Sequence, residues 1–483
     1  MSRPSSGDLR VFGSWAILGW AGWVTVAVLF AVDPASRIME IVSVVSVLTF
    51  AVVVFHAPLS GLCLLPLPLM IGPVLSFPIV DVGRVTVGDV CSTILIIRTM
   101  LLRYAPDMSA PTSLRFASWI LVLSAVLSID IGASAIALVK IFQFTLLVCA
   151  SAKLVRQPVD VRNIMISWVM TTTLCAAMLL WFLYQGLPAF MLYWVSNIDT
   201  NDIADFSRAD VLFRPTFFYT NFFIPAGLSL LYGIVAILTT VESRGVARAF
   251  IYFSVPVNFI ALVLNNTRAM LVPVVLLGGA TVIWFAWQTF TQLKLHLLAV
   301  VFLVLVAILG VGAISDVLVS PEQGVALEVR AEDTGSLEVR LDMWGAVLKK
   351  ALDDPLRLLF VGWGPQITTR SGHSIVKTLL TGTGGNIEGA FDSVVVGLLI
   401  DNGLVFVTLL LGYVAFWLYR TWRLWRNTND DFVLALLLMG VALIVSHLFQ
   451  QFGISPPALM AMQVFVFLSV FRRNQHAAVV AAR

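Results

Sequence analysis

Long apolar runs separated by short polar segments make up most of the chain. A helix that crosses a bilayer needs about 20 mostly apolar residues, and runs of that kind recur from one end to the other. We predict about fourteen spans, at Val11–Val32, Ile38–Phe55, Gly61–Val80, Thr86–Leu102, Leu114–Ile129, Ala133–Ala152, Ile164–Tyr184, Pro215–Leu238, Ala247–Leu264, Ala269–Thr289, Leu295–Ile314, Val394–Trp417, Phe432–Phe449 and Ala458–Phe471. The predicted fold class is therefore an all-α polytopic membrane protein.

Two polar segments between the runs are long enough to divide the chain. The predicted parts are transmembrane helices over 1–184, an external loop over 185–213, transmembrane helices over 214–314, a long external loop over 315–392, and transmembrane helices with a cytoplasmic tail over 393–483. In the long loop, Leu337, Leu341, Trp344 and Leu348 recur at helical spacing. We predict a short helix there, capped by Ser336 and packed on the membrane domain.

Composition strengthens this interpretation. Apolar residues make up 59% of the chain and charged residues 12%, and the mean hydropathy is +0.95. Soluble domains are usually about 45–50% apolar and about 25% charged, so a soluble enzyme, a disordered protein and a secreted disulfide scaffold are excluded. The net charge of +3 is too small to indicate nucleic acid. All four cysteines lie in apolar runs and have no metal-ligand spacing, which predicts neither a disulfide nor a metal site.

The basic residues are strongly asymmetric across the predicted spans. With the N-terminus inside, the cytoplasmic segments hold Arg3, Arg10, Arg98, Arg103, Arg115, Lys153, Arg156, Arg162, Arg244, Arg248, Lys294, Arg420, Arg423, Arg426, Arg472, Arg473 and Arg483. Outside the long loop, the external segments hold only Arg37, Arg84, Arg208, Arg214 and Arg268. Because Lys and Arg accumulate on the cytoplasmic side of short loops, both termini are predicted to be cytoplasmic.

Three arginines stand on the predicted external side and are candidates for ligand binding. Arg214 precedes a span and lies seven residues before Asn221, so both share one helix face; Arg268 follows Asn266 at a turn; Arg340 lies on the loop helix. Such arginines can reach headgroups or pair with nearby aspartates. Their planar forks also bind phosphate oxygens in a bidentate manner. Three together would suit a lipid-linked phosphate or pyrophosphate, whereas no Gly-rich nucleotide loop is present.

Candidate bases lie near the end of the long loop. His373 could act near neutral pH, or it could be an ordinary solvated histidine. Asp392, where the loop re-enters the membrane, could be a base, a ligand for a sugar hydroxyl or a helix N-cap. Asp353-Asp354 is read as a polar helix end rather than a metal site. Asp89 and Lys140, both within spans, are predicted to pair with each other in a structural role.

The order of these motifs resembles the O-antigen ligase / O-antigen polymerase family of bacterial membrane glycosyltransferases. In that family an Arg precedes a helix with an Asn about two turns in, as Arg214 and Asn221 do here, and a short segment with an Arg precedes a later span, as around Arg268. An external loop then carries R-x-x-x-W, found here from Arg340 to Trp344.

The resemblance continues through the long loop and the next span. A P-x-x-G-x-G turn in the family is matched by Phe360-Val361-Gly362-Trp363-Gly364. A His-Asn-like pair then opens a span with a Gly further along, where this chain has Phe391-Asp392-Ser393 and then Asp401-Asn402-Gly403. The chain departs from the pattern near Arg214, where the family Gly is replaced, and at Asp392, where the family has His. The similar region runs from about Arg214 to Tyr419.

The resemblance implies a glycosyltransferase without metal or other cofactor, acting on the periplasmic face of the bacterial inner membrane. It would take a glycan from undecaprenyl pyrophosphate and join it to an acceptor sugar. It implies that Arg214, Arg268 and Arg340 bind the pyrophosphate, that Asn221, Asn266 and Trp344 contact substrate, and that Asp392 or His373 is catalytic. Membrane lipids and polysaccharide export or chain-length proteins would be its partners.

Three functions are compatible with this sequence, and a non-catalytic assembly partner is a further alternative that the sequence leaves open. The number of predicted spans favours an exopolysaccharide or O-antigen polymerase, which lengthens a chain. A ligase would instead deliver the glycan to a lipid or protein. A flippase for lipid-linked oligosaccharides would also have many spans, but transporters often contain internal repeats, and the sequence shows no clear repeat.

Overall fold

The structure is a computed structural model. It describes residues 38–71, 76–79, 83–102, 112–128, 131–155, 157–184, 223–239, 246–264, 268–288, 351–365 and 394–449, together with isolated positions at 21, 22, 25, 345, 348 and 349. Apart from one short β-hairpin, every regular element in these ranges is a helix. The predicted all-α fold class is confirmed to that extent.

Helices form where the long apolar runs predict them. They are α1 (Ile38–His56), α2 (Pro58–Leu64), α3 (Pro66–Ile71), α4 (Val87–Met100), α5 (Thr112–Val126), α6 (Ile131–Leu154), α7 (Pro158–Tyr184), α8 (Phe223–Leu238), α9 (Val246–Leu264), α10 (Arg268–Gln288), α11 (Pro355–Phe360), α12 (Val394–Thr428) and α13 (Asp431–Phe449). The spans predicted at Val11–Val32, Leu295–Ile314 and Ala458–Phe471 lie outside the described residues, apart from three helical positions near the N-terminus.

The predicted third span, Gly61–Val80, is wrong as a continuous helix. Helix α3 ends at Ile71, and the strands β1 (Ser76–Ile79) and β2 (Gly83–Thr86) then form an antiparallel hairpin. This run contains four prolines, Pro66, Pro68, Pro73 and Pro78. They explain the difference, because proline lacks an N–H donor and its ring clashes with the preceding turn of a helix. Pro78 lies in β1 opposite Arg84.

Within the part of the chain that the structure describes, two helices are long and apolar enough to cross a membrane, Ala137–Leu154 within α6 and Val395–Thr428 within α12. Six further apolar helices of 10–17 residues are present in the described ranges. The structure therefore supports association with a membrane, while the total of about fourteen spans stays a prediction.

Among the described helices, α8 is buried along nearly its whole length. It packs against α7, α9, α10 and α13. Its Tyr232 ring meets the edge of Phe432 in α13, with centroids 5.8 Å apart. In contrast, α5, α6 and α10 expose large apolar side chains, among them Trp119, Phe142 and Ile283. Soluble proteins rarely expose apolar surface of this extent, whereas lipid chains accept it.

The predicted helix in the long loop lies mostly outside the described residues, although Gly345, Leu348 and Lys349 are helical. The chain turns after Ala351, and Asp354 caps the short helix α11 by accepting a hydrogen bond from the Arg357 N–H at 3.2 Å. Asp354 is thus a helix cap, as the interpretation of Asp353-Asp354 as a polar helix end expects. Helix α11 packs on α12, and α12 also packs on α5.

Candidate functional site: a loop docked into a broken helix

Most of the predicted site residues lie outside the described residues. This holds for Arg214, Asn221, Asn266, Arg340, Trp344, His373 and Asp392. The backbone of Arg268 is described and forms the first residue of α10, so this arginine stands at a helix end, as predicted. Nothing further is established about these residues, and their roles stay predictions.

Two segments that carry the family resemblance are in direct contact. The backbone N–H of Trp363 donates to the Ile400 carbonyl at 2.9 Å, and that of Gly364 donates to the Asp401 carbonyl at 2.9 Å. Helix α12 is broken at this point, because Gly403 has φ 83° and ψ 166°. We call the two contacting segments, Val361–Pro365 and Ile400–Gly403, the α12 joint.

The break in α12 frees backbone groups that the loop then satisfies. A helix that ends leaves its last carbonyls without helical partners, and in an apolar region such groups need another donor. The N–H groups of Trp363 and Gly364 supply that donor for Ile400 and Asp401. The loop therefore completes the first helical segment of α12, which makes the two segments one structural unit.

Glycine is required on both sides of the joint. Gly362 has φ 64°, and a Cβ atom there would lie 2.4 Å from the backbone carbonyl carbon and oxygen of Asp401. A Cβ atom at Gly403 would lie 2.9 Å from the Val361 nitrogen. Since both neighbours are backbone atoms, a side chain at either position would separate the segments.

Arg357 fastens the loop to the end of α5. Its Nε donates to the Gly362 carbonyl at 2.9 Å and one terminal nitrogen donates to the Leu127 carbonyl at 2.6 Å. Its guanidinium also lies 5.8 Å from the centroid of the Trp363 ring. Arg357 therefore links α11, the loop at Gly362 and the end of α5 at Leu127. The sequence patterns did not predict this role.

Serine hydroxyls from α5 and α6 complete the joint. Ser124 donates to the same Asp401 carbonyl at 2.9 Å. Ser134 lies 2.7 Å from the Ser128 hydroxyl and 3.4 Å from the Pro365 carbonyl. The joint thus unites the α5–α6 turn, the long loop and α12, whose residues are far apart in the sequence.

Asp401 and Asn402 are polar residues buried at the break, with 5% and 2% of their surface exposed. The Asn402 Oδ1 atom is buried and has no hydrogen-bond partner among the described residues. The hydropathy pattern predicts an unbroken span from Val394 to Trp417. The break at Gly403 shows that this prediction is wrong as a continuous helix. Asp-Asn-Gly within an apolar run is a turn signal and could have indicated the break.

The joint lies on both sides of the candidate bases in the sequence. Pro365 precedes residues 366–393, and α12 begins at Val394, about 10 Å of helix before Asp401. Gly364 is bonded to Asp401. His373 and Asp392 fall between these two points of the sequence and lie outside the described residues.

A second polar cluster lies between α4 and α6. Lys140 Nζ is 2.5 Å from Asp89 Oδ1, and the side chains are 26% and 10% exposed. Asp89 also accepts from the N–H and hydroxyl of Thr86 in a capping box, and Gln143 donates to the Asp89 carbonyl at 2.9 Å. The predicted pairing of Asp89 with Lys140 is confirmed.

We expect Lys140→Met to destabilise the chain by about 3 kcal/mol, because the buried Asp89 carboxylate then loses its counter-charge. In Asp89→Asn/Lys140→Met no charge is left unpaired, and the asparagine oxygen can still accept from the Thr86 N–H in the capping box, so most of the loss should be recovered. Thermal unfolding in detergent measures both. A single variant as stable as the wild type would contradict a structural role for the pair.

The described residues contain no group of three or more His, Cys, Asp or Glu side chains that could hold a metal ion. Comparison with known proteins does not identify the joint either. No model of a protein family matches the chain, and no curated protein matches it. The likeness to O-antigen ligases and polymerases therefore rests on the sequence motifs alone.

Proposed function

We propose that the chain is a multi-pass glycosyltransferase of the bacterial inner membrane, similar to O-antigen and exopolysaccharide polymerases. It would join glycan repeat units from undecaprenyl pyrophosphate to an acceptor sugar on the periplasmic face. The observation that carries the proposal is the α12 joint, where Gly362-Trp363-Gly364 and Asp401-Asn402-Gly403, the last two elements of the resemblance, are bonded to each other.

The sidedness of the joint supports the proposal. The charge distribution places the α5–α6 turn, the long loop and the start of α12 on the outer face. The structure brings Leu127, Gly362 and Asp401, one from each of these segments, into one hydrogen-bonded group. Segments that the charge distribution predicts to share a face therefore lie together, which supports their assignment to one side of the membrane.

The chemistry requires a base and a group of cations. When the glycan is transferred, the bond from its anomeric carbon to pyrophosphate breaks, and a bond to the acceptor oxygen forms. Asp392 or His373 would take the proton of the acceptor hydroxyl. Arg214, Arg268 and Arg340 would stabilise the charge that develops on the leaving pyrophosphate, and fixed cations in a site with little water do this well.

A flippase for lipid-linked oligosaccharides is the second candidate, and the break in α12 is the observation that favours it. Discontinuous helices near the middle of the bilayer are common in transporters. Here, however, the break lies beside the end of α5, because the Ser124 hydroxyl donates to the Asp401 carbonyl and Gly364, which is bonded to Asp401, lies against Ser128. It is also filled by the chain's own backbone from Phe360 and Val361. A filled break near one face suits a docked loop better than a transport path.

Purified protein in liposomes, supplied with undecaprenyl-pyrophosphate-linked repeat units and without nucleotide or metal, tests the proposal. We expect longer glycans on the lipid carrier. Transfer to an added lipid or protein acceptor without lengthening would identify a ligase. Movement of the carrier between leaflets with no new glycosidic bond would identify a flippase and overturn the proposal.

A further inference from the structure

After its break at Gly403, helix α12 continues to Thr428. Residues 404–428 form about 37 Å of helix at about 1.5 Å per residue, whereas the hydrocarbon core of a bilayer is about 30 Å thick. With the break at the predicted outer boundary, about 30 Å of helix end near Arg423. The last turns of α12 therefore reach the headgroup region.

Those last turns carry arginines and aromatic rings on one exposed face. Phe416, Tyr419 and Trp422 are exposed, and so are Arg420, Arg423 and Arg426. The opposite side packs inward: Thr421 is buried, and Trp417, Leu424 and Trp425 contact the core. We call the six exposed residues the basic face of α12.

The rings hold two of the guanidinium groups in place. The Arg420 guanidinium lies 4.6 Å from the Phe416 centroid, and that of Arg426 lies 5.2 Å from the Trp422 centroid. The rings of Tyr419 and Trp422 are 6.1 Å apart. An arginine stacked on a ring keeps its N–H edge available for a bidentate bond to phosphate.

The charge of the basic face is not neutralised within the described part of the chain. Lys140–Asp89 is the ion pair found there, and neither Asp430 nor Asp431 forms one with the three arginines. Asp430 instead caps α13 by accepting from the Phe432 N–H at 2.9 Å. The three cations therefore present net positive charge at the depth where phosphate groups of lipids lie.

We infer that the basic face binds the phosphodiester headgroups of anionic phospholipids in the cytoplasmic leaflet. Anionic lipid attracts basic residues next to a membrane span, and aromatic rings are favourable at the same interface. The occupant is a lipid rather than a soluble anion, because Phe416 and Tyr419 place apolar surface beside the arginines. The inference rests on the proposed membrane topology and not on the proposed transfer of glycans.

The test uses the full chain in mixed micelles with equal amounts of phosphatidylglycerol and phosphatidylcholine, and native mass spectrometry counts each lipid retained. We expect the wild type to retain phosphatidylglycerol preferentially. Arg420→Gln/Arg423→Gln/Arg426→Gln should lower that preference about tenfold or more. The matched control is Arg330→Gln/Arg370→Gln/Lys377→Gln, which removes the same charge from the predicted external loop, away from any predicted span, and should keep the preference.

Further variants and readouts separate the outcomes. Arg420→Lys/Arg423→Lys/Arg426→Lys keeps the charge but loses the planar guanidinium, so an intermediate preference is expected. This variant keeps the inference testable if the glutamine variant does not fold. Equal retention of both lipids by the wild type, or an equal loss of preference in the external-loop control, would overturn the inference. Glycan transfer measured on the same samples is independent: its absence alone would count against the proposed function only.

Discussion

Gly403→Ala is expected to lower glycan transfer at least tenfold and to destabilise the chain by about 2–4 kcal/mol. The φ and ψ angles of Gly403, 83° and 166°, lie in a region that is essentially restricted to glycine, and holding another residue there costs about 1–3 kcal/mol. The new methyl group would also lie about 3 Å from backbone atoms of Phe360 and Val361. The loop would have to move away, and the Ile400 and Asp401 carbonyls would lose the N–H donors of Trp363 and Gly364.

Gly412→Ala is the matched control, because it makes the same substitution in the same helix. A Cβ atom at Gly412 has no heavy atom within 4 Å, and alanine favours helix by up to about 1 kcal/mol over glycine. We expect wild-type transfer and equal or slightly higher stability. Thermal unfolding and the liposome transfer assay measure both variants. If Gly403→Ala behaved like Gly412→Ala, the joint would have no part in holding the loop.

The placement of helices could be predicted because each depends on a contiguous apolar run. Helices such as α7 and α10 begin and end within a few residues of the predicted spans. The failure at Gly61–Val80 has a local cause, since hydropathy does not register the missing N–H groups of its prolines. Hydropathy also predicted one unbroken span across Asp401-Asn402-Gly403. The helix is broken there, because Gly403 has a backbone conformation that is not helical, and Asn-Gly is a turn signal.

The joint itself could not be predicted from local patterns. Its hydrogen bonds link Trp363 to Ile400 and Ser124 to Asp401, so they depend on which loop returns to which helix. The family resemblance identified the two glycine motifs, Gly362-Trp363-Gly364 and Asp401-Asn402-Gly403. It gave no reason to expect that they are in contact. In contrast, the pairing of Asp89 with Lys140 was predictable, because two opposite charges within spans have few other ways to be neutralised.

The joint also bears on the proposed chemistry. A general base must be placed accurately, because an error of about 1 Å can cost about a hundredfold in rate. The bonded residues Gly364 and Asp401 precede and follow His373 and Asp392 in the sequence. Under the proposed function, the buried polar residues of the break would therefore be positioning groups.

Arg268→Ala is expected to abolish polymer formation, with a loss of about a hundredfold or more, while the protein still inserts and folds. Removing one preorganised group that stabilises developing charge typically costs about 10²–10³ in rate. Arg268 opens α10 at the end that the charge distribution places outside. Removing the Arg268 side chain should have little effect on the packing of α10 against α8 and α13, because Arg268 is only the first residue of the helix.

Arg84→Ala is the control, since Arg84 is also an external arginine by charge topology but lies in the β1–β2 hairpin and outside the resemblance. Chain length of the glycan product, measured by gel electrophoresis at equal protein abundance, distinguishes the two variants. Wild-type chains from Arg268→Ala would contradict the pyrophosphate-binding role. Arg214→Ala should then match Arg268→Ala and not Arg84→Ala, because two cations that stabilise the same leaving group fail in the same step of the reaction.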